Sequence, residues 1–466
     1  MRPGGPRRLR AGATRSWWAP LREHERLLMI SISTVLVTAG QGVIAPVLPI
    51  FAREFNISAA VVGLTLSLFA LSRLVLNVPL GIFSDRHGRR MLLVWGPVVT
   101  AVGMVGSGLA QDIEQLLAAR AVAGAGSAMY MVASLTYLID ISTEQNRARF
   151  IATNQGALLL GVSIGPAVGG GLAELYGFRV PFYVVGVAAL VAAVYAYWRL
   201  PETRARSSEP ERGVPERGAA PRGRTPSVAS ASRPASTAAA AAAAPEPRGV
   251  SATPSVPPAP IRRPWLAMLA SWSFVAVAFV TTMIFFTRAG GRQTIVPLLA
   301  DSRLQMSAGM LGAVFTGMSL VNLVLIGPAA VAADRFGRRA VIVPSGIATV
   351  IGLLIFAGAT SMALFLLGAL VLSIASAMAG PAPAAYVADI APAQARGLAM
   401  SFYRSAGDIG FVVGPPLLGV IADRSSFGWA LGVNAALVGV ATLLFLLVAR
   451  ETMRPRERAP APAAGG

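Results

Sequence analysis

The sequence predicts an all-α, polytopic membrane protein with 12 transmembrane helices in two homologous six-helix bundles. The chain has 466 residues, of which 55% are hydrophobic and only 13% are charged, a composition that a water-soluble surface does not accommodate. Twelve apolar runs are each long enough to cross a bilayer core of about 30 Å. A charged loop sequence also occurs twice, which indicates an internal duplication.

The apolar runs form two groups of six, separated by a polar segment. They cover 27–50, 59–81, 91–110, 114–140, 150–173 and 181–199, then 264–299, 307–332, 340–359, 362–389, 397–422 and 428–449. The predicted parts are an N-tail (1–26), an N-terminal half (27–200), a linker (201–263), a C-terminal half (264–450) and a C-tail (451–466). The linker is rich in Pro, Arg, Ser, Gly and Ala, so it is predicted to be disordered.

All 40 basic residues are arginines, and their positions predict the topology. With the N-terminus placed inside, the short loops hold nine arginines on the cytoplasmic side and the opposite side holds four, so both termini are predicted to be cytoplasmic. The N-tail lacks the pattern of a cleaved signal peptide. A net charge of +19 would ordinarily suggest nucleic-acid binding, but the arginines follow the topology and form no basic stripe. We therefore predict a lipid bilayer as partner and no nucleic acid.

The duplicated charged loop follows predicted helix 2 and predicted helix 8, at an offset of 249 positions. The first copy contains Gly81, Asp85, Arg86, Gly88, Arg89 and Arg90, and the second contains Asp334, Arg335, Gly337, Arg338 and Arg339, with Ala330 in place of Gly81. The same offset relates Ser58 to Ser307 and Asp140 to Asp389. These matches predict two halves related by an axis along the membrane normal.

Predicted helices 4 and 5 carry further motifs. Helix 4 has Arg120 within an apolar stretch, where a cation costs at least about 2.5 kcal/mol unless it faces a polar interior or reaches the outer interface. Helix 5 has a glycine motif made of Gly161, Gly165, Pro166, Gly169 and Gly170. Glycines four apart share one helix face and allow another helix to approach closely, while the proline bends the segment.

Together these motifs resemble those of the major facilitator superfamily, over essentially the whole chain apart from the tails and linker. The helix-5 motif resembles that of the drug/proton antiporter branches, and the helix-4 pattern is similar to that of proton-coupled exporters. The resemblance implies that both charged loops are gating elements, which link neighbouring helix ends and help to hold the outward-facing state. Simple anchoring of the topology by the loop arginines is the alternative.

Five arginines but only one acid lie well inside predicted spans; they are Arg73, Arg120, Arg288, Arg292, Arg404 and Asp408. Because Arg404 and Asp408 are four residues apart on one helix, they share a face and can pair. If motion between the halves separated the pair, the proton affinity of Asp408 would change. We therefore predict Arg120, Arg404 and Asp408 as the proton-coupling residues, with a static ion pair as the alternative.

Polar, glycine-broken segments interrupt predicted helices 1 and 7, at 40–42 and 287–294. Interruptions at corresponding places in two repeats are typical of a substrate site. The predicted substrate-binding residues are Gln41, Tyr130, Tyr137, Asn154, Arg288, Arg292, Gln293 and Tyr403. The excess of embedded arginine over acid favours neutral or anionic substrates.

The leading functional prediction is a secondary active transporter of a bacterial inner membrane that exports small amphipathic compounds by proton antiport with alternating access. One alternative is a proton-coupled uptake symporter for an organic anion or sugar-like metabolite, and another is a non-transporting membrane receptor or scaffold. The chain has no phosphate-binding Gly-Lys-Ser/Thr loop, no cysteine and two histidines, so we expect neither an enzyme nor a metal or other cofactor.

Overall fold

The computed structural model describes residues 19–55, 57–143, 146–201, 271–392 and 396–452. In this part of the chain, 12 helices are long and apolar enough to cross a membrane, which confirms the predicted fold class. The first half contains α1 (Ala19–Arg53), α2 (Ala59–His87), α3 (Arg89–Leu109), α4 (Ile113–Ile141), α5 (Arg147–Tyr176) and α6 (Val180–Arg199). The second contains α7 (Trp272–Leu304), α8 (Ala308–Phe336), α9 (Arg339–Ala357), α10 (Met362–Ile390), α11 (Arg396–Arg424) and α12 (Phe427–Val448).

Most of the predicted tails and linker lie outside the described residues, so those three predictions stay predictions. The repeat, in contrast, is visible at the helix starts. Ser58 caps α2 by accepting a hydrogen bond from the Val61 amide, and Ser307 caps α8 in the same way from the Met310 amide. Each cap satisfies a backbone donor that the helix itself leaves open.

α7 is interrupted as the sequence predicts, whereas α1 is not. The segment Thr287–Ile295 of α7 is a π-helix between two α-helical stretches, a geometry that widens the turn and occurs mainly at functional sites. The segment of α1 at 40–42 lies within an unbroken helix. The prediction of an interruption in α1 was therefore wrong, because flanking glycines on a helix with close neighbours permit packing without breaking the backbone ladder.

The glycines of the α5 motif pack against α1. A Cβ atom on Gly165 would lie 2.6 Å from the carbonyl oxygen of Ala39, and one on Gly161 would lie 2.7 Å from that of Val35. A Cβ atom on Gly171, which directly follows the motif, would meet open space. Because α1 presents backbone rather than a movable side chain at Gly165, a larger residue there must push the helices apart.

We therefore expect Gly165→Ala to lower the thermal unfolding midpoint of the purified protein, with a cost of about 1–3 kcal/mol for overpacking. Gly171→Ala is the matched control, since its added methyl group meets nothing within 4 Å. The midpoints are measured by tryptophan fluorescence in one detergent. Equal midpoints for both variants would contradict the packing role of Gly165.

The two halves are joined at the end where α2 and α8 begin, which we call the far side; the end where α2 and α8 finish is the motif side. A Cβ atom on Gly419 of α11 would lie 2.5 Å from the Cα of Ala60 in α2. A Cβ atom on Gly312 of α8 would likewise collide with the backbone of Pro166 in α5. The pairs α2–α11 and α5–α8 therefore close the far side by direct backbone contact.

Candidate functional site

A cavity of about 510 Å³ lies between the halves, a size that suits a small-molecule ligand. Helices of both halves line it. Of the predicted coupling and substrate-binding residues, it brings together Gln41, Arg120, Arg288, Arg292, Gln293, Tyr403 and Asp408. Its wall also contains Arg73 of α2, which the sequence identified as an embedded arginine without assigning it a role.

Three predicted substrate-binding residues lie elsewhere, which corrects that part of the prediction. Tyr130 Oη is 2.9 Å from Thr34 Oγ1, which donates a hydrogen bond of 2.8 Å to Asn154 Oδ1. Tyr137 is fully buried in the same region of the N-terminal half. The contacts of Thr34 with Tyr130 and Asn154 link α1, α4 and α5, because a buried hydroxyl or amide needs a partner wherever it lies.

Asp408 of α11 shares the cavity wall with Arg73, which belongs to the other half. Arg73 exerts the largest electrostatic effect on its carboxylate, ahead of Arg404. Arg404 is exposed, and among the described residues it forms no ion pair with Asp408. The expected helical pair of Arg404 and Asp408 is therefore absent. The interaction that replaces it joins α2 to α11, across the interface between the halves.

Arg120 is buried with aromatic and sulfur partners. Only 3% of its surface is exposed, so the alternative in which it extends to the outer interface does not apply. Its guanidinium carbon lies 4.7 Å from the centre of the Phe69 ring, and one of its nitrogens is 3.9 Å from the sulfur of Met104. The cation–π contact offsets part of the cost of burying the charge.

The first charged loop forms a compact corner of α2, α3 and α4. The guanidinium of Arg89 binds Asp85 at 2.9 Å and Asp140 at 3.0 Å. Gly88 has a φ of 96°, a conformation that favours glycine. Arg90 donates a hydrogen bond of 2.6 Å to the carbonyl oxygen of Tyr197, so α6 is tied to the same corner.

The second charged loop repeats this arrangement at equivalent positions. Arg338 binds Asp334 and, at 3.4 Å, Asp389, while Gly337 has a φ of 103°. Arg339 donates a hydrogen bond of 2.6 Å to the carbonyl oxygen of Leu446. Partial burial lowers the pKa of Arg338, but its hydrogen bonds and the charges of both aspartates outweigh that effect and raise the pKa above its ordinary value.

The contacts described for the two corners do not involve three residues of the predicted gating loops, Gly81, Arg86 and Arg335. Gly81 has open space around its α-carbon, and the side chains of Arg86 and Arg335 are exposed at the motif side. The contacts of Arg89 and Arg338 with their aspartates fix helix ends within one half each.

Two acids on the far side reach from one half to the other. The carboxylate of Asp423, near the end of α11, accepts hydrogen bonds from the amides of Ala59 (2.7 Å) and Ala60 (2.9 Å). Glu174, near the end of α5, accepts one of 3.1 Å from the hydroxyl of Ser307. Both acids therefore lie at helix N-termini, where a negative charge is favourable. We call this pair the far-side clasp.

The clasp follows the internal repeat, because Glu174 and Asp423 are 249 positions apart, as are Ser58 and Ser307. Sequence reasoning missed it. The offset was a usable signal, since it places two acids at equivalent helix ends.

Comparison with known proteins identifies the family. The family model of the Major Facilitator Superfamily matches residues 30–291 and 282–465. The chain belongs to this superfamily. Multidrug resistance protein 2 of Bacillus subtilis is 29% identical over 184 residues, which are 39% of this chain and 46% of that protein. Quinolone resistance protein NorA of Staphylococcus aureus is 23% identical over 171 residues, or 37% and 44% of the two chains. The matches thus span under half the length of these relatives.

Solved structures share the fold of this superfamily member. A bacterial homologue of the human lysosomal transporter Spinster, in an inward-facing and occupied conformation, has a TM-score of 0.72 at 14% identity. The alignment covers 91% of this chain and 96% of that protein. The human organic anion transporter MFSD10 has a TM-score of 0.59 at 17% identity, with 91% and 99% covered.

Proposed function

We propose that this superfamily member exports small amphipathic compounds in exchange for protons, by alternating access, from the cytoplasm of a bacterial cell. The observation that carries the proposal is the position of Asp408. It is a single acid in the wall of a central cavity, and its main electrostatic partner, Arg73, belongs to the opposite half. Movement between the halves changes the distance between Asp408 and Arg73, and with it the proton affinity of Asp408.

The packing of the halves supports alternating access. Backbone contacts and the clasp join them on the far side, so the cavity is closed towards that side. With the termini in the cytoplasm, as the arginine distribution predicts, this is an inward-facing state. Rocking of two rigid halves about the cavity then exposes it to the other side.

Arg120 and Arg404 complete the proposed coupling set. Arg120 lines the same cavity as Asp408. A proton bound to Asp408 therefore changes the electrostatic surroundings of Arg120. Arg404 acts on Asp408 through space from the motif-side part of α11. The two charged loops act as gates, since each fixes the motif-side helix ends of one half, which must meet when the motif side closes.

The direction of transport rests on the α5 motif and on the names of the relatives. The relatives are named as multidrug and quinolone resistance proteins, which fits export, and the glycines of α5 pack against α1 as the resemblance to antiporters implies. Uptake of an organic anion by symport remains the second candidate, because four arginines line the cavity.

Proton movement in everted membrane vesicles with an acidic lumen separates these candidates. We expect addition of a fluoroquinolone to raise the luminal pH, because an exporter would carry the drug inward in exchange for protons. Vesicles that contain Asp408→Asn serve as control. A symporter would leave the luminal pH unchanged when the drug is added. It would lower the luminal pH when an organic anion and protons are supplied outside, because the two enter together. The absence of any substrate-dependent proton movement would favour the receptor alternative.

A further inference from the structure

Three arginines, one from the N-terminal half and two from the C-terminal half, line the same cavity. Arg73 of α2 lies close enough to Arg288 of α7 for their charges to interact, and Arg288 interacts in the same way with Arg292. Arg288 and Arg292 lie in the π-helical segment of α7, so the widened turn places both in the cavity wall. We call these three residues the arginine strip.

Asp408 offsets the positive charge of these arginines only in part. With Arg120, the cavity wall contains four arginines and one aspartate, a formal charge of +3. In the described part of the chain, none of the four forms an ion pair. The Nε atoms of Arg73 and Arg120 are buried without a hydrogen-bond partner. Like charges held together in a partly desolvated site are costly unless a counter-charge is supplied.

The internal repeat shows that these arginines are not part of the shared framework. Residues that hold each half together occur in both copies, such as Arg89 and Arg338 with their aspartates. At the 249-residue offset, the equivalents of Arg73, Arg120, Arg288 and Arg292 are Asn322, Ala369, Ala39 and Val43. The positive charge is therefore an addition to the cavity, which the packing of the halves does not require.

Aromatic rings lie in the wall beside the strip. Arg292 lies with its guanidinium carbon 5.8 Å from the centre of the Phe315 ring and donates a hydrogen bond of 3.4 Å to Ser319. Phe285 and Phe411 line the same cavity. A ligand with a charged group at the strip would thus place its remaining body against aromatic rings.

We propose that the cavity binds an amphipathic organic anion, with its carboxylate or other anionic group on Arg73, Arg288 and Arg292 and its apolar body against Phe315. This inference names the substrate class and rests on the proposed transport function. Guanidinium groups bind carboxylates through paired, charge-assisted hydrogen bonds. A cation of the same shape is repelled by the net charge of the wall.

The test is direct binding to the full-length protein in zwitterionic nanodiscs, by isothermal titration calorimetry. Three probes share one apolar body: 4-phenylbutyrate, its neutral amide and the cationic 4-phenylbutylamine. We expect the carboxylate to bind about tenfold or more tightly than either analogue, and the double variant Arg288→Gln/Arg292→Gln to lose this preference. The double variant Arg288→Lys/Arg292→Lys, which keeps the charge, is expected to recover part of the affinity. Arg149→Gln, which removes an exposed arginine outside the cavity, is the matched control and should bind like wild type.

Equal binding of the three probes, or tighter binding of the amine, would overturn the proposal. Loss of the preference in the lysine variant as well as in Arg149→Gln would also overturn it, because the effect would then not depend on the strip.

Nanodiscs that contain phosphatidylglycerol distinguish two sources of the anionic group: competition that disappears in the glutamine variant assigns the site to a lipid headgroup. Binding does not require transport. Strip-dependent binding without proton-coupled flux would refute only the proposed function, and flux of cations without anion binding would refute only this inference.

Discussion

Replacing Asp408 with asparagine is expected to abolish proton-driven accumulation of substrate while leaving the folded protein intact. Asparagine has nearly the same shape but cannot exchange a proton at any working pH. Asp408 is the single acid in the cavity wall, so the variant has no neighbouring carboxylate there to replace it. We expect accumulation in proteoliposomes under an imposed pH gradient to fall to the level of empty liposomes.

Two further measurements make this result specific. Exchange of labelled for unlabelled substrate without a pH gradient needs alternating access but no proton, so the variant should retain it. Asp112→Asn is the matched control, because this exposed acid lies at the far-side start of α4, outside the cavity. Gradient-driven accumulation at the wild-type level in Asp408→Asn would rule out its coupling role, as would equal losses in both variants.

The fold could be predicted from the sequence because bilayer length and charge distribution leave few alternatives. All 12 spans and both loop copies are where apolar runs and the 249-residue offset place them. The corners of Arg89 with Asp140 and of Arg338 with Asp389 occupy equivalent positions, as expected for a duplication. The offset therefore predicts structural roles as well as ancestry.

The site was only partly predictable, because spacing within one helix does not reveal contacts between helices. Arg404 was the nearest arginine in sequence to Asp408, yet Arg73 on another helix is the stronger partner. Tyr130 and Asn154 were placed in the cavity because they are polar, but their hydroxyl and amide are used between α1, α4 and α5. In helices with neighbours on several sides, the hydrophobic period does not identify the cavity face.

Departure from the repeat is a second signal that distinguishes the site from the framework. The corners and the clasp are duplicated, whereas Arg73, Arg288 and Asp408 have Asn322, Ala39 and Leu159 at equivalent positions. Duplicated elements suit a motion in which the two halves play equivalent parts at each side of the membrane. Asymmetric ones suit a cavity that must recognise a ligand.

Removing the far-side clasp is expected to shift the resting state of the transporter towards the outward-open form. Asp423 and Glu174 each hold a helix N-terminus of the opposite half, and these bonds must break when the far side opens. A helix cap such as that of Asp423 contributes about 1 kcal/mol, and a side-chain hydrogen bond such as that of Glu174 contributes about as much. Loss of both in Asp423→Ala/Glu174→Ala should therefore change the ratio of the two states by roughly 30-fold.

Distances between spin labels on the far side test this shift. The chain contains no cysteine, so Tyr176→Cys in the N-terminal half and Trp429→Cys in the C-terminal half supply the labels without background; both positions are exposed. We expect the double variant to show a longer distance population that wild type lacks. Asp112→Ala is the matched control, because it removes a cap of 2.8 Å to the Gln115 amide within one half. An unchanged distance distribution in the double variant, or the same change in the control, would show that the clasp does not hold the far side closed. The longer population would establish that two symmetric acids, rather than the backbone contacts of α2 and α11 alone, set the balance between the two states.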